Sequence, residues 1–166
     1  MVNQEHVCIS MQPIHFKFPS KQQELIWQKR RNRTPPSIIA QELDVSRALV
    51  SKAQRIAEER IEKILRHTAS TNRIRIQKIS PRYGFASGYC YANKSDVYIV
   101  YSPTLGTQLW FNHEGDCNNC IEQPVCEKTI HTLAQEWNLP LPKGIPATEA
   151  AEELFIAIMR RLKWIE

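Results

Sequence analysis

Three cysteines lie within ten residues of this chain, at Cys117, Cys120 and Cys126. Because the loops between them are short, their sulfur atoms must lie close together. Reduced thiols grouped in this way form a soft, anionic pocket that suits zinc or an iron–sulfur cluster. With Cys90 as a fourth ligand, the spacing predicts a cysteine-ligated metal site. The fifth cysteine, Cys8, stands alone in an apolar stretch and is not expected to be a ligand.

The surroundings of Cys126 support a metal site. Pro124 places this thiol in the first turn of a predicted helix, where free N–H groups and the positive end of the helix dipole stabilise an anion. One C-x₂-C knuckle with two separated cysteines suits a [4Fe–4S] cluster better than structural zinc, which more often uses two knuckles. Zinc stays open as an alternative, and His113 or His131 could then replace Cys90. Reactive thiols and buried structural cysteines stay open as well.

The net charge of +5 is unevenly distributed along the chain. Residues 1–79 carry 15 Lys and Arg against 7 Asp and Glu, whereas residues 80–166 carry 7 against 10. The first part therefore has a net charge of +8 and the second a net charge of −3, which sum to the value for the whole chain. A polyanion such as double-stranded DNA is expected to bind the first part.

Residues 34–66 have the proportions of a helix-turn-helix. Proline starts a short helix over 37–43, and after a tight connection a serine caps a long helix that runs to about His67. The exposed side of the long helix presents donors for base edges and phosphates: Ser46, Arg47, Ser51, Lys52 and Arg55. A helix over 21–31 precedes the motif. A second phosphate-binding cluster is predicted at its end: Lys29, Arg30, Arg31 and Arg33.

These residues resemble two known families. The segments AQEL (40–43), SRALVS (46–51) and AEERIEK (57–63) resemble the helix-turn-helix of the archaeal Tfx-type DNA-binding proteins. That resemblance implies a sigma-region-4-like transcription regulator. A distant cysteine followed by C-x₂-C-x₅-C resembles the ligand spacing of WhiB-like and FNR-type regulators, which implies a [4Fe–4S] cluster held by Cys90, Cys117, Cys120 and Cys126.

The rest of the chain changes from strand-forming runs to helical periodicity. Strands are predicted over 73–79, 83–91, 96–101 and 107–111, with a further strand or arm over 7–18, and helices are predicted over 124–137 and 148–164. The expected fold class is α+β: an N-terminal helix-turn-helix with a long second helix, then a small antiparallel β-sheet and two C-terminal helices around the cysteine metal site. The predicted domains are a basic DNA-binding domain over 1–71 and an α+β sensor or metal-binding domain over 72–166.

The long helix carries an apolar stripe that continues beyond the helix-turn-helix. Its second half, around Ile61, Ile64 and Leu65, either pairs with a twofold mate or packs on the chain's own C-terminal domain. The first possibility predicts a homodimer. The sequence does not decide between the two.

These patterns together predict a DNA-binding transcription regulator whose C-terminal domain senses redox state, oxygen or nitric oxide through a [4Fe–4S] cluster. The alternatives are a zinc-stapled DNA-binding protein without sensing, and an RNA-binding enzyme or electron-transfer protein. The sequence has no Gly-rich phosphate loop and no recognisable catalytic triad, so enzyme activity is not expected. It has no apolar run long enough to span a bilayer and no secretory signal pattern, so a cytoplasmic protein without a membrane partner is expected.

Overall fold

The computed structural model describes residues 17–166, and in this range the α+β class is confirmed. The elements are α1 Lys21–Arg31, α2 Pro36–Glu42, α3 Arg47–Thr71, β1 Arg75–Ser80, β2 Phe85–Cys90, β3 Ser95–Ser102, β4 Gly106–Phe111, α4 Gln123–Glu136 and α5 Ala147–Arg161. None of these helices is long and apolar enough to cross a membrane. Cys8 and nearly all of the strand or arm predicted over 7–18 lie outside the described residues.

The first three helices pack around a small core of their own. Its buried members are Ile26, Ile39, Ala40, Val50 and Ala53. Two serines determine where the helices begin, since each occupies the N-cap position and satisfies a free N–H group of the first turn. Ser20 forms a capping box with Gln23. Ser46 accepts a hydrogen bond of 3.1 Å from the N–H of Leu49, as its predicted role as a cap requires.

The third helix, α3, extends about one turn beyond its predicted end near His67. The polar residues in this turn do not stop the helix because their hydroxyl groups bond back to helix carbonyls. The Thr68 hydroxyl donates to the carbonyl of Ile64 at 2.9 Å, and the Thr71 hydroxyl donates to that of His67 at 3.0 Å. The helix ends where Arg73 adopts a left-handed conformation, with a φ of 55°.

The second half of α3 packs on one face of the sheet. Ile61, Ile64 and Leu65 are at most 2% exposed. They belong to the same buried cluster as Val97 and Ile99 of β3. Of the two possibilities for this apolar stripe, the structure shows packing on the chain's own C-terminal part. The homodimer stays a prediction, but this stripe does not supply a free surface for it.

The four strands form an antiparallel sheet in chain order, β1-β2-β3-β4. A shift of register between Ile76 and Lys78 bulges β1 where it pairs with β2. Gly88 lies opposite Ile76 at this point. A Cβ atom on Gly88 would lie 2.6 Å from the carbonyl oxygen of Arg75, so the close approach of the two strands requires glycine.

The opposite face of the sheet is covered by α4 and α5. Phe85 and Val100 point to this side and share a second buried cluster with Trp137, Phe155 and Ile158. The rings of Phe85 and Phe155 are stacked, with their centroids 6.2 Å apart. Because helices cover both faces, β2 and β3 are mostly buried along their whole length. The sheet is therefore the middle layer between α3 and the α4–α5 pair.

Helix α1 joins the packed α2–α3 pair to the sheet. The indole N–H of Trp27 donates to the carbonyl of Pro81 at 3.1 Å, and the Tyr101 hydroxyl donates to the Glu24 carboxylate at 2.5 Å. Burial, followed by this hydrogen bond, raises the pKa of Tyr101 above its usual value, so the phenol stays protonated and donates. Both contacts cross the domain boundary predicted at 71/72.

Replacing Ile61 by Ala tests whether the second half of α3 is a core element of a single chain. We expect the free energy of unfolding to fall by about 2–5 kcal/mol, because the shortened side chain leaves a cavity. The control Ile38→Ala, at a side chain that is 42% exposed, should cost less than about 1 kcal/mol. Urea unfolding followed by circular dichroism measures both. A midpoint that rises with protein concentration would instead place Ile61 in an interface between two chains.

Candidate functional site

The cysteine triplet (Cys117, Cys120 and Cys126) lies where the chain passes from the sheet to α4. After β4 the backbone forms a single 3-10 turn, Cys117–Asn119. Asp116 caps this turn, since its carboxylate accepts a hydrogen bond of 3.0 Å from the N–H of Asn118. Cys126 lies in the first turn of α4, as predicted. The 3-10 turn and the start of α4 thus position two of the three thiols.

Cys117 also lies beside the first turn of α5, a contact that sequence reasoning missed. Its sulfur lies 3.5 Å from the hydroxyl oxygen of Thr148. This hydrogen bond, followed by the backbone N–H groups of Thr148 and Ala147, lowers the pKa of Cys117 below its usual value. Proline before Ala147 signals the helix start in the sequence. No local pattern indicates which loop packs against that start.

The three thiols influence one another electrostatically. Partial burial raises the pKa of Cys126, and the neighbouring charges of Cys120, Glu122 and Cys117 raise it further. Cys120 is exposed, whereas the other two are half-buried. As thiolates the three groups repel, so a cation bound among them removes that repulsion. The triplet is therefore a set of soft donors held on one loop and one helix start.

Cys90 is not brought to the triplet. It is 2% exposed and lies at the end of β2, in the core between the sheet and α3 with Ile74 and Val97. The triplet adjoins α4 and α5, which cover the other face of the sheet. Among residues 17–166, no three His, Cys, Asp or Glu side chains are arranged as a group that could hold a metal ion.

Two histidines were alternatives to Cys90 in a zinc site. Nδ1 of His113 lies 2.8 Å from the carbonyl oxygen of Phe111, and its ring centroid lies 5.5 Å from that of Trp110. This arrangement leaves Nε2 of His113 as the nitrogen able to bind a metal. His131 lies exposed on α4. Neither histidine forms a metal-binding group with the triplet in the described part of the chain.

The first half of α3 exposes a basic helix face, made of Arg47, Ser51, Lys52 and Arg55. Ser46, the fifth residue predicted here, is also exposed, and its hydroxyl caps the helix. Arg47, Lys52 and Arg55 form no ion pair with any Asp or Glu that the structure describes. Their charges are therefore available to a ligand.

Two cations in the second half of α3 form ion pairs with glutamates, unlike those of the basic helix face. Lys63 pairs with Glu59 at 3.4 Å, and Arg66 pairs with Glu62 at 2.7 Å, both one helical turn apart. Such exposed pairs contribute little to stability, typically about 0.3–0.5 kcal/mol. They do partly neutralise this end of the helix. The unpaired positive charge is concentrated in the half of α3 that packs on α2.

The second predicted phosphate-binding cluster is divided among several environments. The Lys29 ammonium pairs with Glu42 at 2.6 Å. Arg30 is half-buried, and its guanidinium donates to the Gln54 side chain and to the carbonyl of Thr34, both at 2.9 Å. Only Arg33 is exposed. These residues therefore do not form one exposed patch.

Arg31 is a core residue, only 1% exposed, and not the surface contact that was predicted. Its guanidinium lies between the rings of Trp27 and Trp137, 4.7 and 4.8 Å from their centroids, and donates to the carbonyl of Glu136 at 3.0 Å. Burial lowers its pKa to about 10, which keeps it charged at neutral pH. One signal was available, because Arg31 follows Trp27 by four residues and therefore shares its helix face.

The opposite pKa shifts of Cys117 and Cys126 predict different reactivities. The thiolate is the reactive form, and a lowered pKa increases its fraction near neutral pH whereas a raised pKa decreases it. Iodoacetamide should therefore modify Cys117 before Cys126 in metal-free protein, as peptide mass spectrometry would measure. Thr148→Val should slow the reaction of Cys117 and leave that of Cys126 unchanged. Equal rates at the two thiols would contradict this arrangement.

Comparison with known proteins finds no similarity to report. No protein-family model, no curated protein and no solved structure matches this chain. The resemblances of the helix-turn-helix to the Tfx-type proteins and of the cysteine spacing to WhiB-like and FNR-type regulators therefore stay expectations.

Proposed function

We propose that this chain is a DNA-binding transcription regulator that inserts the first half of α3 into the major groove. The observation that carries the proposal is the basic helix face, whose exposed cations form no ion pair within the described residues. Arg47, Ser51 and Arg55 follow one another at intervals of four residues, so they lie along one side of the helix. That side presents guanidinium groups, which recognise guanine edges and phosphates.

The dimensions of the helical unit support this role. An α-helix with its side chains is about 10–12 Å wide, and the major groove of B-DNA is about 12 Å wide. Ile39 and Ala40 of α2 pack on Val50 and Ala53 of α3. This packing holds α2 against the first half of α3, and in the proposed complex α2 would contact the DNA backbone.

The distribution of charge supports a polyanionic partner. The net charge of +8 belongs to residues 1–79, which include the whole helix-turn-helix. A positive field of this kind accelerates association with DNA and makes affinity depend strongly on salt. The acidic remainder of the chain, with a net charge of −3, directs the DNA to the helical side.

We propose further that the cysteine triplet holds a [4Fe–4S] cluster through which DNA binding responds to redox state, oxygen or nitric oxide, with zinc as the alternative. Three thiols on one short segment are a soft donor set suited to either. Cys126 lies in the first turn of α4 and Cys117 lies beside the first turn of α5, so the positive ends of both helices face the proposed anionic centre. In this proposal Cys90 stays in the core, and one coordination position has no protein ligand.

Arginine substitutions on α3 test the DNA-binding proposal. A preferred duplex is first selected from a random library, and binding is then measured by fluorescence anisotropy. Arg47→Ala or Arg55→Ala should weaken binding to that duplex by about 1–3 kcal/mol, since each removes a contact to bases. The control Arg66→Ala, at a cation already paired with Glu62, should bind as the unchanged protein does. Equal losses for all three variants on selected and random duplexes would contradict groove recognition by α3.

Metal analysis of protein purified without oxygen tests the cysteine proposal. A cluster should give brown protein with broad visible absorption and about four irons per chain. Cys126→Ala should lose the metal because a thiolate ligand is removed. Stoichiometric zinc in colourless protein would identify the zinc alternative, and protein that binds neither metal after reconstitution would refute both.

The matched control is Cys90→Ala, which removes a thiol from the core and none from the triplet. We expect this variant to keep its full metal content, although it will be less stable because a buried group is lost. Circular dichroism establishes that the variant is folded before its metal is measured. Loss of metal from the folded variant would show that Cys90 is a ligand and that β2 rearranges to provide it.

A further inference from the structure

A pocket of about 220 Å³ lies where the ends of α1, α4 and α5 meet. It is lined by Arg31, Asn32, Arg33, Asn138 and Arg161, and we call it the arginine pocket. The lining residues are three arginines and two asparagines, whose side chains can donate hydrogen bonds. The Oδ1 atom of Asn32 is buried without a partner among residues 17–166, and rotation of this amide would present its N–H group there instead. The pocket is separate from the basic helix face and from the cysteine triplet, whose residues are not part of its lining.

The most buried of these arginines has donors without acceptors. The Nη2 atom of Arg31 is bonded to the carbonyl of Glu136. Its Nε and Nη1 atoms are buried, and no acceptor among residues 17–166 is bonded to them. Burying a charged donor without a partner is unfavourable, and a charged acceptor forms the strongest hydrogen bonds with a guanidinium. An anion in the pocket can provide such an acceptor.

The positive charges of the pocket are only partly balanced by carboxylates. No described Asp or Glu forms an ion pair with Arg31, Arg33 or Arg161. The arginines repel one another: Arg161 disfavours the charge on Arg31, and Arg33 disfavours that on Arg161, in addition to the effect of burial. The Glu136 carboxylate favours the charge on Arg31 from a distance. Its Oε1 accepts instead from the Ser102 hydroxyl at 2.8 Å.

Two of the arginines stabilise the C-terminal end of α4. Arg31 and Arg161 each donate one hydrogen bond there, to the carbonyls of Glu136 and Trp137. Each helix C-terminus carries about half an elementary negative charge, so the three C-terminal ends that meet here contribute about one and a half. With the Glu136 carboxylate included, the three guanidinium groups exceed this sum by about half a charge. The remaining positive charge favours an anion but does not select how many charges it carries.

We propose that the arginine pocket binds a small oxyanion of the phosphate type, either inorganic phosphate or the phosphate group of a small monoester. The planar guanidinium fork matches the oxygen geometry of phosphate and can bind it in a bidentate manner. The pocket volume lies below the range of about 300–1,000 Å³ that holds drug-sized ligands, so the ligand is a small anion and not a nucleotide. A bound phosphate would connect α1 with α4 and α5. The proposal does not depend on the proposed DNA-binding function.

Calorimetric titration of the full chain with inorganic phosphate and with glycerol phosphate, at constant ionic strength in chloride, tests the proposal. Saturable binding and a thermal midpoint that rises with phosphate concentration are expected. Arg33→Gln and Arg161→Gln should each weaken binding about tenfold or more, because each removes a charge-assisted hydrogen bond. Arg75→Gln, which removes the same charge from exposed strand β1, should bind phosphate as the unchanged protein does. Tighter binding of glycerol phosphate than of inorganic phosphate would identify a monoester as the ligand.

Three outcomes would overturn the proposal. The first is the absence of saturable phosphate binding by folded protein. The second is equal phosphate affinity in the Arg33, Arg161 and Arg75 variants, which would reveal a general charge effect. The third outcome combines two results: phosphate does not bind, and the Arg33 and Arg161 variants bind random duplex DNA more weakly and with a smaller salt dependence. The two arginines would then contact the DNA backbone.

Discussion

A guanidinium that leaves water loses several kcal/mol of hydration, so the burial of Arg31 must be compensated by what surrounds it. Two aromatic faces contribute up to about 2 kcal/mol each when desolvated, and a hydrogen bond to a charged group contributes about 1.5–3 kcal/mol. These terms roughly offset the loss of hydration. Arg31 therefore adds little net stability, but it is accommodated only when Trp27 of α1 and Trp137 after α4 lie on its two sides. This stack fixes how α1 docks against the end of α4, beside the hydrogen bonds that Trp27 and Tyr101 make between α1 and the sheet.

The basic helix face and the cysteine triplet lie on or beside helices on opposite sides of the sheet. The basic helix face belongs to α3, whose second half covers one side of the sheet. The triplet lies beside the starts of α4 and α5, which cover the other side. The strands β2 and β3 are buried on both faces, so they connect the two sides through close-packed side chains. The side chains of β2 and β3 therefore link the α4–α5 pair to α3 through continuous packing.

Local signals in the sequence were sufficient for most of the fold. Proline, the Ser46 cap and helical or alternating periodicity predicted every helix and strand within residues 17–166, with differences of a few residues at the ends. The predicted end of α3 was about one turn too early. The hydroxyls of Thr68 and Thr71 donate to carbonyls of the preceding turn, so these polar residues continue the helix. Long-range placement was the harder part. The burial of Cys90 behind the sheet and of Arg31 between two tryptophans depends on contacts that no local spacing encodes, and Arg31 lies 105 residues from its acceptor.

The continuity of α3 gives the molecule a mechanical property. The helix has no proline or glycine, so it has none of the residues that usually cause kinks, and it behaves as a stiff rod. Ile61 is clamped in the core, and Arg47 lies about 21 Å away along the axis at about 1.5 Å per residue. By simple geometry a tilt of about 5° around the buried half displaces Arg47 by about 2 Å over that length, enough to break a hydrogen bond to a bound ligand. The packing around Ile61 thus fixes the point about which α3 can tilt, and the distance from that point determines how far the basic side chains move.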